Sequence, residues 1–193
     1  MIIGLCGAQG VGKDTVGNVL VSEYGFTKLT FATALKDVIS ILFSWPRDLL
    51  EGITDESRVW RETVNEHWSE KTGIKNFTPR KALQFIGTDL LRKQFYNDIW
   101  VNIVENKINE LRLLDPKINI VITDCRFINE FNMIKSFSNS HILNIKRSNI
   151  IETNTLHSSE IDWTNYEFDR ILYNDGTIDD LKIILNSVLD ENV

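Results

Sequence analysis

The chain has 193 residues and is 42% hydrophobic, which is enough to bury a full core, and its length favours one domain, 1–193, with a smaller insertion. Its formal net charge of −6 excludes a broad basic face, so we expect no nucleic-acid partner. No segment approaches the ~20 apolar residues of a membrane span, and the first apolar run starts at Ile2. We therefore expect a soluble, cytoplasmic protein with no membrane partner.

The first predicted element is a strand over the apolar run Ile2–Cys6, and a glycine-rich loop follows it directly. The loop has the G-x-x-x-x-G-K pattern of a phosphate-binding P-loop, and Val16, Val19 and Leu20 then mark one face of a helix. In this order, backbone N–H groups converge on phosphate oxygens, and Lys13 adds a charge for the β- and γ-phosphates of a nucleoside triphosphate. The predicted phosphate-binding residues are Gly7, Gly10, Val11, Gly12, Lys13, Asp14 and Thr15.

Asp14 occupies the position after the P-loop lysine, where Ser or Thr commonly places its hydroxyl on Mg²⁺. Its carboxylate either binds the metal, directly or through water, or interacts with the N-terminus of the following helix. The residues leave both interpretations open. Thr15 brings a hydroxyl one position later and is expected to contact an inner phosphate.

Further apolar runs predict the rest of a sheet. They lie at Phe26–Phe31, Ile118–Thr123, His141–Lys146 and Arg170–Tyr173, and helical patterns lie between most of them. This alternation predicts an α/β fold of the P-loop NTPase type, three layers (α/β/α) with a mostly parallel sheet. Cys6 and Cys125 lie in or beside such runs, so we expect two reduced cysteines in the core.

One predicted helix carries an apolar stripe that we assign to the core, formed by Leu35, Val38, Ile39, Leu42 and Phe43. The segment Trp45–Phe77 has no strand pattern and predicts a helical insertion. Trp60 and Trp68 in this segment are expected to pack against other side chains rather than to stack on a ligand.

Another helix is predicted to begin at Thr78, with Pro79 in its first turn. Arg80, Gln84 and Arg92 fall close to one face of it at helical spacing. These side chains either form an exposed polar face or bind an anionic acceptor. The second interpretation has a physical reason, because an acidic protein needs local cations to hold an anion and Arg offers a bidentate fork to phosphate.

Asp124 ends the apolar run that starts at Ile118, as the carboxylate of a Walker B strand does when it faces Mg²⁺ beside a P-loop. The alternative is a helix cap, since many buried strands end in Asp for that reason. The presence of a P-loop favours the metal. Arg126 follows two positions later and either pairs with Asp124 or faces a phosphate.

Near the C-terminus, Lys146 and Arg147 end a predicted strand and precede a polar stretch that extends to Glu160. Such a stretch, about 147–160, predicts a lid that closes over the nucleotides and brings a cation to the transferring phosphoryl group. The segment Tyr173–Thr177 predicts a turn into the last helix.

Taken in order, these motifs resemble the bacteriophage-type deoxynucleoside monophosphate kinases, a branch of the P-loop nucleoside monophosphate kinase superfamily. The segments that carry the resemblance are Gly12–Thr15, Phe31–Asp37, Leu83–Leu90, Asp98–Val101, Asp124–Phe127, His157–Glu160 and Asn174–Gly176. They span most of the chain apart from the insertion Trp45–Phe77.

The resemblance implies an ATP-dependent kinase that transfers the γ-phosphoryl group to a deoxynucleoside monophosphate, with Mg²⁺ as cofactor, in a viral setting that includes the host cytoplasm. It implies that Lys13 stabilises charge and that Arg147 opens the lid. Together with Arg126 these are the candidate catalytic residues, and Asp14 and Asp124 are the candidate Mg²⁺ ligands. Asn174 and Gly176 would lie near the adenine. The acceptor site would lie in a helical region, about 33–95, and would use Lys36, Arg80, Gln84, Asp89 and Arg92.

Two other classes remain open from the residues. One is a different small-molecule P-loop kinase, similar to dephospho-coenzyme A kinase or phosphomevalonate kinase. The other is a non-catalytic nucleotide-binding switch, although the segment Asn106–Asn109 lacks the acid of the Asn-Lys-x-Asp motif of a GTPase. The acceptor's base and sugar and the oligomeric state, including a homodimer, are not determined by the sequence, and dTMP and dGMP are favoured only by the resemblance.

Overall fold

The structure is a computed structural model that describes residues 1–150 and 166–190. Residues 151–160 of the predicted lid, with the segment His157–Glu160, lie outside the described residues. The strands are β1 (Ile2–Cys6), β2 (Thr27–Leu29), β3 (Ile120–Ile122), β4 (Ser140–Lys146) and β5 (Arg170–Tyr173). The α-helices are α1 (Lys13–Tyr24), α2 (Ala32–Phe43), α3 (Asp55–Glu62), α4 (Glu66–Thr72), α5 (Pro79–Gln84), α6 (Ile99–Leu114), α7 (Ile128–Ser136) and α8 (Ile178–Asp190). A 3₁₀ turn spans Leu49–Glu51, and a π-helix spans Phe85–Phe95.

The five strands form one parallel sheet in the order β2-β3-β1-β4-β5. Every residue of β1 is buried, as a strand covered on both faces requires. Ile3 and Leu5 belong to the same core cluster as buried residues of α1 and α8. On the opposite face, a Cβ added at Gly4 would lie 2.8 Å from Ile134 Cδ1 of α7. The sheet therefore has helices on both sides, and the predicted three-layer α/β fold is confirmed.

The order of the strands also fixes where a ligand is expected. The neighbours of β1 are β3 on one side and β4 on the other, so the chain crosses over β1 between these two strands. In open α/β sheets, the crevice at such a switch point, beyond the carboxyl ends of the strands, is where ligands bind. The loop Gly7–Gly12 leaves β1 at this place.

The chain divides into two compact units, one formed by Met1–Phe31 and Val104–Val193 and the other by Ala32–Ile103. The first unit contains the parallel sheet. The second is helical in every regular element and contains α2 to α5 and the π-helix. Its core includes an aromatic cluster in which Trp60 lies 5.7 Å from Trp45 and Trp68 lies 4.8 Å from Phe43 between ring centroids. Both tryptophans thus pack against aromatic rings, as the sequence predicted.

The apolar stripe of α2 is narrower than predicted. Leu35, Ile39 and Phe43 are buried, whereas the side chains of Val38 and Leu42 are 45% and 57% exposed. The buried positions follow the i, i+4, i+8 row, which occupies one narrow line along the helix. The assignment of Val38 and Leu42 to the core was wrong. Among the described residues, no helix combines the length and the apolar character that crossing a membrane requires.

Candidate active site

The P-loop packs closely against segments that are distant in the sequence. Gly12, which precedes α1, has φ 97°, a left-handed conformation that favours glycine, and a Cβ there would collide with the Asn174 side chain. A Cβ at Gly7 would collide with the carbonyl oxygen of Ile145 at the end of β4. The predicted P-loop therefore lies at the carboxyl edge of the sheet, packed against two segments that are distant in sequence.

Lys13 folds back over the loop. Its ammonium donates hydrogen bonds to the carbonyl oxygens of Gly7 and Ala8, both at 2.8 Å, and the residue is half-buried. The Lys13 ammonium, a charged hydrogen-bond donor, is thus held over the loop that precedes helix α1. Phosphate oxygens bound in the loop would therefore find the ammonium within the same turn of chain.

Asp14, in the first turn of α1, forms an ion pair with Lys28 of β2 at 2.8 Å. Its side chain is 77% exposed. Lys28 also donates to Asn18 at 3.5 Å. Lys28 thus gives the Asp14 carboxylate a partner within the protein. The carboxylate also lies at the positive end of α1, where an acidic residue is stabilising.

Asp124 follows β3, and its Oδ1 accepts a hydrogen bond from the backbone N–H of Phe31 at 2.9 Å. The next residue, Cys125, donates its N–H to the carbonyl of Leu5 at 3.1 Å, so the chain after β3 stays beside the end of β1. The structure thus brings Asp124 to the edge of the sheet from which the P-loop leaves.

Arg126 is held through its backbone by a residue that the sequence analysis missed. The buried Glu130 accepts hydrogen bonds from the N–H groups of Arg126 at 2.7 Å and Phe127 at 3.1 Å. The sequence did carry a signal for Glu130, which lies three positions after Phe127, the residue that precedes α7. An acid at this position commonly accepts hydrogen bonds from the unpaired N–H groups at the start of a helix. The Arg126 side chain is half-buried beside this turn.

Asn174 joins two parts of the site. Its side-chain amide donates to the carbonyl of Val11 in the P-loop at 2.9 Å, and its N–H donates to the carbonyl of Lys146 at 2.8 Å. The resemblance implies that Asn174 lies near the adenine, and the structure places its amide against the P-loop backbone. Gly176 lies close to α8, where a Cβ would be 2.6 Å from the Asp180 carboxylate.

Arg147 follows β4 and is exposed. The next residue, Ser148, donates from its N–H at 2.7 Å and from its hydroxyl at 2.6 Å to the Asp175 carboxylate. These two hydrogen bonds, with a smaller contribution from the charge of Arg147, lower the pKa of Asp175. The segment that begins at Arg147 is therefore tied to the turn after β5.

In the helical unit, three of the predicted acceptor residues, Lys36, Arg80 and Asp89, form ion pairs. Lys36 lies 2.5 Å from Glu51, and Arg80 lies 3.3 Å from Glu62. Asp89 pairs with Lys93 at 2.8 Å. The sequence analysis missed Arg47, which binds Glu51 and also lies 2.5 Å from Asp37; only tertiary structure brings it beside Lys36.

Arg92 differs from the other residues predicted to bind the acceptor. It is only 5% exposed, and its guanidinium donates to the carbonyl of Asn97 at 3.4 Å, whereas Arg80 and Gln84 are half-buried. Arg92 lies in the π-helix that begins at Phe85, after the α-helix that carries Arg80 and Gln84 has ended. We expected Arg92 to lie close to the face of Arg80 and Gln84 on the basis of α-helical spacing. The α-helix, however, ends at Gln84.

Both cysteines are free and buried, as predicted. Burial raises the pKa of the Cys6 thiol to about 12 and raises the pKa of Cys125 well above its ordinary value. A thiol must ionise to act as a nucleophile or metal ligand. These two therefore belong to the core and not to the chemistry of the site.

The family model described as deoxynucleotide monophosphate kinase matches residues 50–184. The chain belongs to the deoxynucleotide monophosphate kinase family. The family and the class of enzyme predicted from the sequence, a kinase and thus a transferase that uses a nucleotide, are therefore confirmed.

Relatives of this deoxynucleotide monophosphate kinase are viral. The "Putative deoxynucleotide monophosphate kinase" of Acanthamoeba polyphaga mimivirus is 30% identical, over 98% of this chain and 96% of the relative. The deoxynucleoside-5'-monophosphate kinase of Escherichia phage T5 is 24% identical, over 70% of this chain and 72% of the relative. In fold, the chain is similar to the crystal structure of TT1252 from Thermus thermophilus, with a TM-score of 0.52, 19% identity, and 100% and 98% of the two chains covered.

The oxygen donors of this kinase suit a hard cation that is bound together with phosphates. Among the described residues, no cluster of three or more acidic, His or Cys side chains forms a dedicated metal site. Magnesium does not need one, because it is commonly bound by one or two carboxylates, water and substrate phosphates. Asp124 is fixed by Phe31, and Thr15 presents a hydroxyl in the first turn of α1, so the residues fit Mg²⁺.

Proposed function

We propose that this enzyme transfers the γ-phosphoryl group of ATP to a deoxynucleoside monophosphate and releases ADP and the diphosphate. The observation that carries the proposal is the Lys13 ammonium held on the P-loop carbonyls at the switch point of the sheet, with Asp124 beside the same strand end. Family membership supports the acceptor class. The net charge of −6 supports a small anionic acceptor over nucleic acid.

The ATP phosphates would lie in the loop Gly7–Thr15, where N–H groups and the N-terminus of α1 supply positive potential. The Lys13 ammonium would exchange the carbonyls of Gly7 and Ala8 for β- and γ-phosphate oxygens. No general base is required, because phosphoryl transfer depends mainly on positioning and on stabilisation of charge.

Asp124 and Thr15 would hold Mg²⁺, directly or through water, next to the phosphates. When bound, this cation neutralises the charge of the phosphate oxygens. Asp14 is paired with Lys28, so we assign its carboxylate to the α1 N-terminus and to water-mediated contacts.

Lys36, Arg80, Gln84 and Asp89 would bind the acceptor. The cations Lys36 and Arg80 are paired with Glu51 and Glu62, and an acceptor phosphate would compete with those carboxylates. Arg126 and Arg147 would stabilise the charge of the transferring group. Arg92, which is buried, also remains proposed for the acceptor site, and Asn174, whose amide binds Val11, remains proposed for the adenine side. Gly176 remains proposed for the adenine side, and a homodimer remains a prediction.

The decisive experiment measures ADP release with ATP and Mg²⁺ against a panel of acceptors. The panel contains the ribo- and deoxynucleoside monophosphates, dephospho-coenzyme A and phosphomevalonate. We expect activity on deoxynucleoside monophosphates, with dTMP and dGMP the favoured bases, because a buried polar group left unpaired rejects a wrong acceptor strongly. Activity confined to the two non-nucleotide acceptors would assign a different kinase, and no transfer to any acceptor would favour a nucleotide-binding switch.

A further inference from the structure

The P-loop, the chain after β4 and the turn after β5 are joined by hydrogen bonds from two adjacent residues. Asn174 binds the carbonyls of Val11 and Lys146 through its side chain and its backbone N–H, at 2.9 and 2.8 Å. Asp175 accepts both the N–H and the hydroxyl of Ser148. Arg147 is the one residue between the two tied positions, Lys146 and Ser148.

The same segment also lies against the P-loop by packing. The carbonyl oxygen of Ile145 abuts Gly7, and a Cβ at Gly10 would lie 3.3 Å from Ile150 Cδ1. Ile150 in turn donates its N–H to the carbonyl of Arg147 at 3.0 Å, which closes a turn. The backbone of Arg147 is thus fixed beside the loop although its side chain is exposed.

We propose that Asn174 and Asp175 are positioning residues that hold the backbone of Arg147 beside the P-loop, so that its guanidinium meets the phosphoryl group in transfer. The inference rests on the proposed function of Arg147. A cation misplaced by about 1 Å loses much of its effect on a transition state, so the benefit of this arrangement appears in kcat more than in ATP binding.

The turn that carries the two residues is itself fixed at its far end. Asp180 in the first turn of α8 accepts from the N–H of Thr177 at 2.8 Å and from its hydroxyl at 2.7 Å. Gly176 lies between this cap and Asp175, and the space beside it is filled by the Asp180 carboxylate. The hydrogen bonds therefore anchor Ser148 to a helix end, not to a freely moving loop.

A double-mutant cycle tests the inference. Arg147→Ala is expected to lower kcat by about 10²–10³-fold, and Asp175→Ala by about 10- to 100-fold with little change in the KM for ATP. If Asp175 acts through Arg147, Asp175→Ala in the Arg147→Ala background has almost no further effect. Ser148→Ala removes one of the two hydrogen bonds and should give a smaller loss of kcat than Asp175→Ala.

Asp179→Ala is the matched control, because it removes an exposed acid four positions from Asp175. It should leave kcat unchanged and lower Tm only slightly, through the first turn of α8. If Asp175→Ala does not fold, Asp175→Asn and Ser148→Ala carry the same cycle. Additive losses of kcat, or losses that follow Tm alone, would overturn the inference. If the wild type is active and the losses are additive or follow Tm alone, only the positioning role is wrong. If the wild type phosphorylates no acceptor, the proposed function itself is wrong.

Discussion

The carboxylate of Asp124 accepts a hydrogen bond from the N–H of Phe31 at 2.9 Å, which fixes the residue after β3 to the chain that follows β2. This acid thus makes a structural contact at the place where we propose a metal ligand. Asp124→Asn preserves an oxygen acceptor for Phe31 but is a poorer ligand for a hard cation than a carboxylate.

We therefore expect Asp124→Asn to raise the Mg²⁺ concentration needed for half-maximal rate while Tm changes little. Asp124→Ala should raise the required Mg²⁺ concentration and also lower Tm. The unpaired N–H of Phe31 should reduce the free energy of unfolding by about 1–3 kcal/mol. Mg²⁺ titrations of kcat and thermal melts of the two variants separate the effects. An unchanged Mg²⁺ dependence in both would leave Asp124 as a structural residue only.

Lys13→Ala is expected to lower kcat by about 10²–10³-fold while the protein stays folded. The ammonium is half-buried and donates hydrogen bonds to the loop carbonyls of Gly7 and Ala8, so its removal leaves no large cavity in the core. Steady-state kinetics and a melting curve measure the two properties. Lys117→Ala, an exposed lysine, is the control for loss of a positive charge. Near-normal turnover of folded Lys13→Ala would contradict the P-loop assignment.

Arg80→Ala should raise the KM for the acceptor more than the KM for ATP, because the ATP phosphates retain the P-loop. Separate titrations of the two nucleotides measure this difference. Arg58→Ala removes an equal charge from an exposed ion pair with Asp55 and should alter neither KM. A fall in ATP affinity alone would show that Arg80 does not face the acceptor.

Glu51 should make the helical unit sensitive to acid. Burial raises the pKa of this carboxyl, but hydrogen bonds and charge from Lys36 and Arg47 outweigh burial and lower it below its ordinary value. Because the folded pKa is the lower one, the stabilisation is present above the unfolded value of about 4.3 and is lost as the pH falls through the folded pKa.

We expect Glu51→Gln to lower Tm at pH 7 and to show a shallower fall of Tm below about pH 4 than the wild type. Melting curves between pH 7 and 3 measure both properties. Glu56→Gln, at an exposed acid in the first turn of α3, is the control and should lower Tm at pH 7 much less than Glu51→Gln does. Parallel curves for all three proteins would mean that the Glu51 pairs add no stability.

Gly7→Ala should disrupt the P-loop, because its Cβ would collide with the backbone carbonyl of Ile145, which cannot move without displacing β4. Gly25→Ala is the matched control. Gly25 also has a positive φ, 67°, but nothing lies within 4 Å of its Cβ position, so only backbone strain of about 1 kcal/mol is expected. Urea unfolding and ATP binding compare the two. Equal effects would mean that strain, not the Ile145 contact, explains the glycine.

The strand, glycine loop and helix at Ile2–Thr15 were predictable because they are contiguous, so this segment carries its own signal. Asp124 was predictable for a similar reason, since an acid at the end of an apolar run meets the P-loop whenever two parallel strands are neighbours. Both inferences need only local pattern and the rule that carboxyl ends of parallel strands share an edge.

The tertiary structure alone decided the partners of these residues. Asn174 is 163 positions from Val11, and Lys36 is 15 positions from Glu51, pairings that no helical spacing rule contains. Arg92 is buried whereas Arg80 and Gln84 are half-buried, a difference that packing sets and that helical spacing does not reveal. A sequence fixes local geometry through backbone sterics and periodicity, whereas contacts between distant segments depend on how packing brings those segments together.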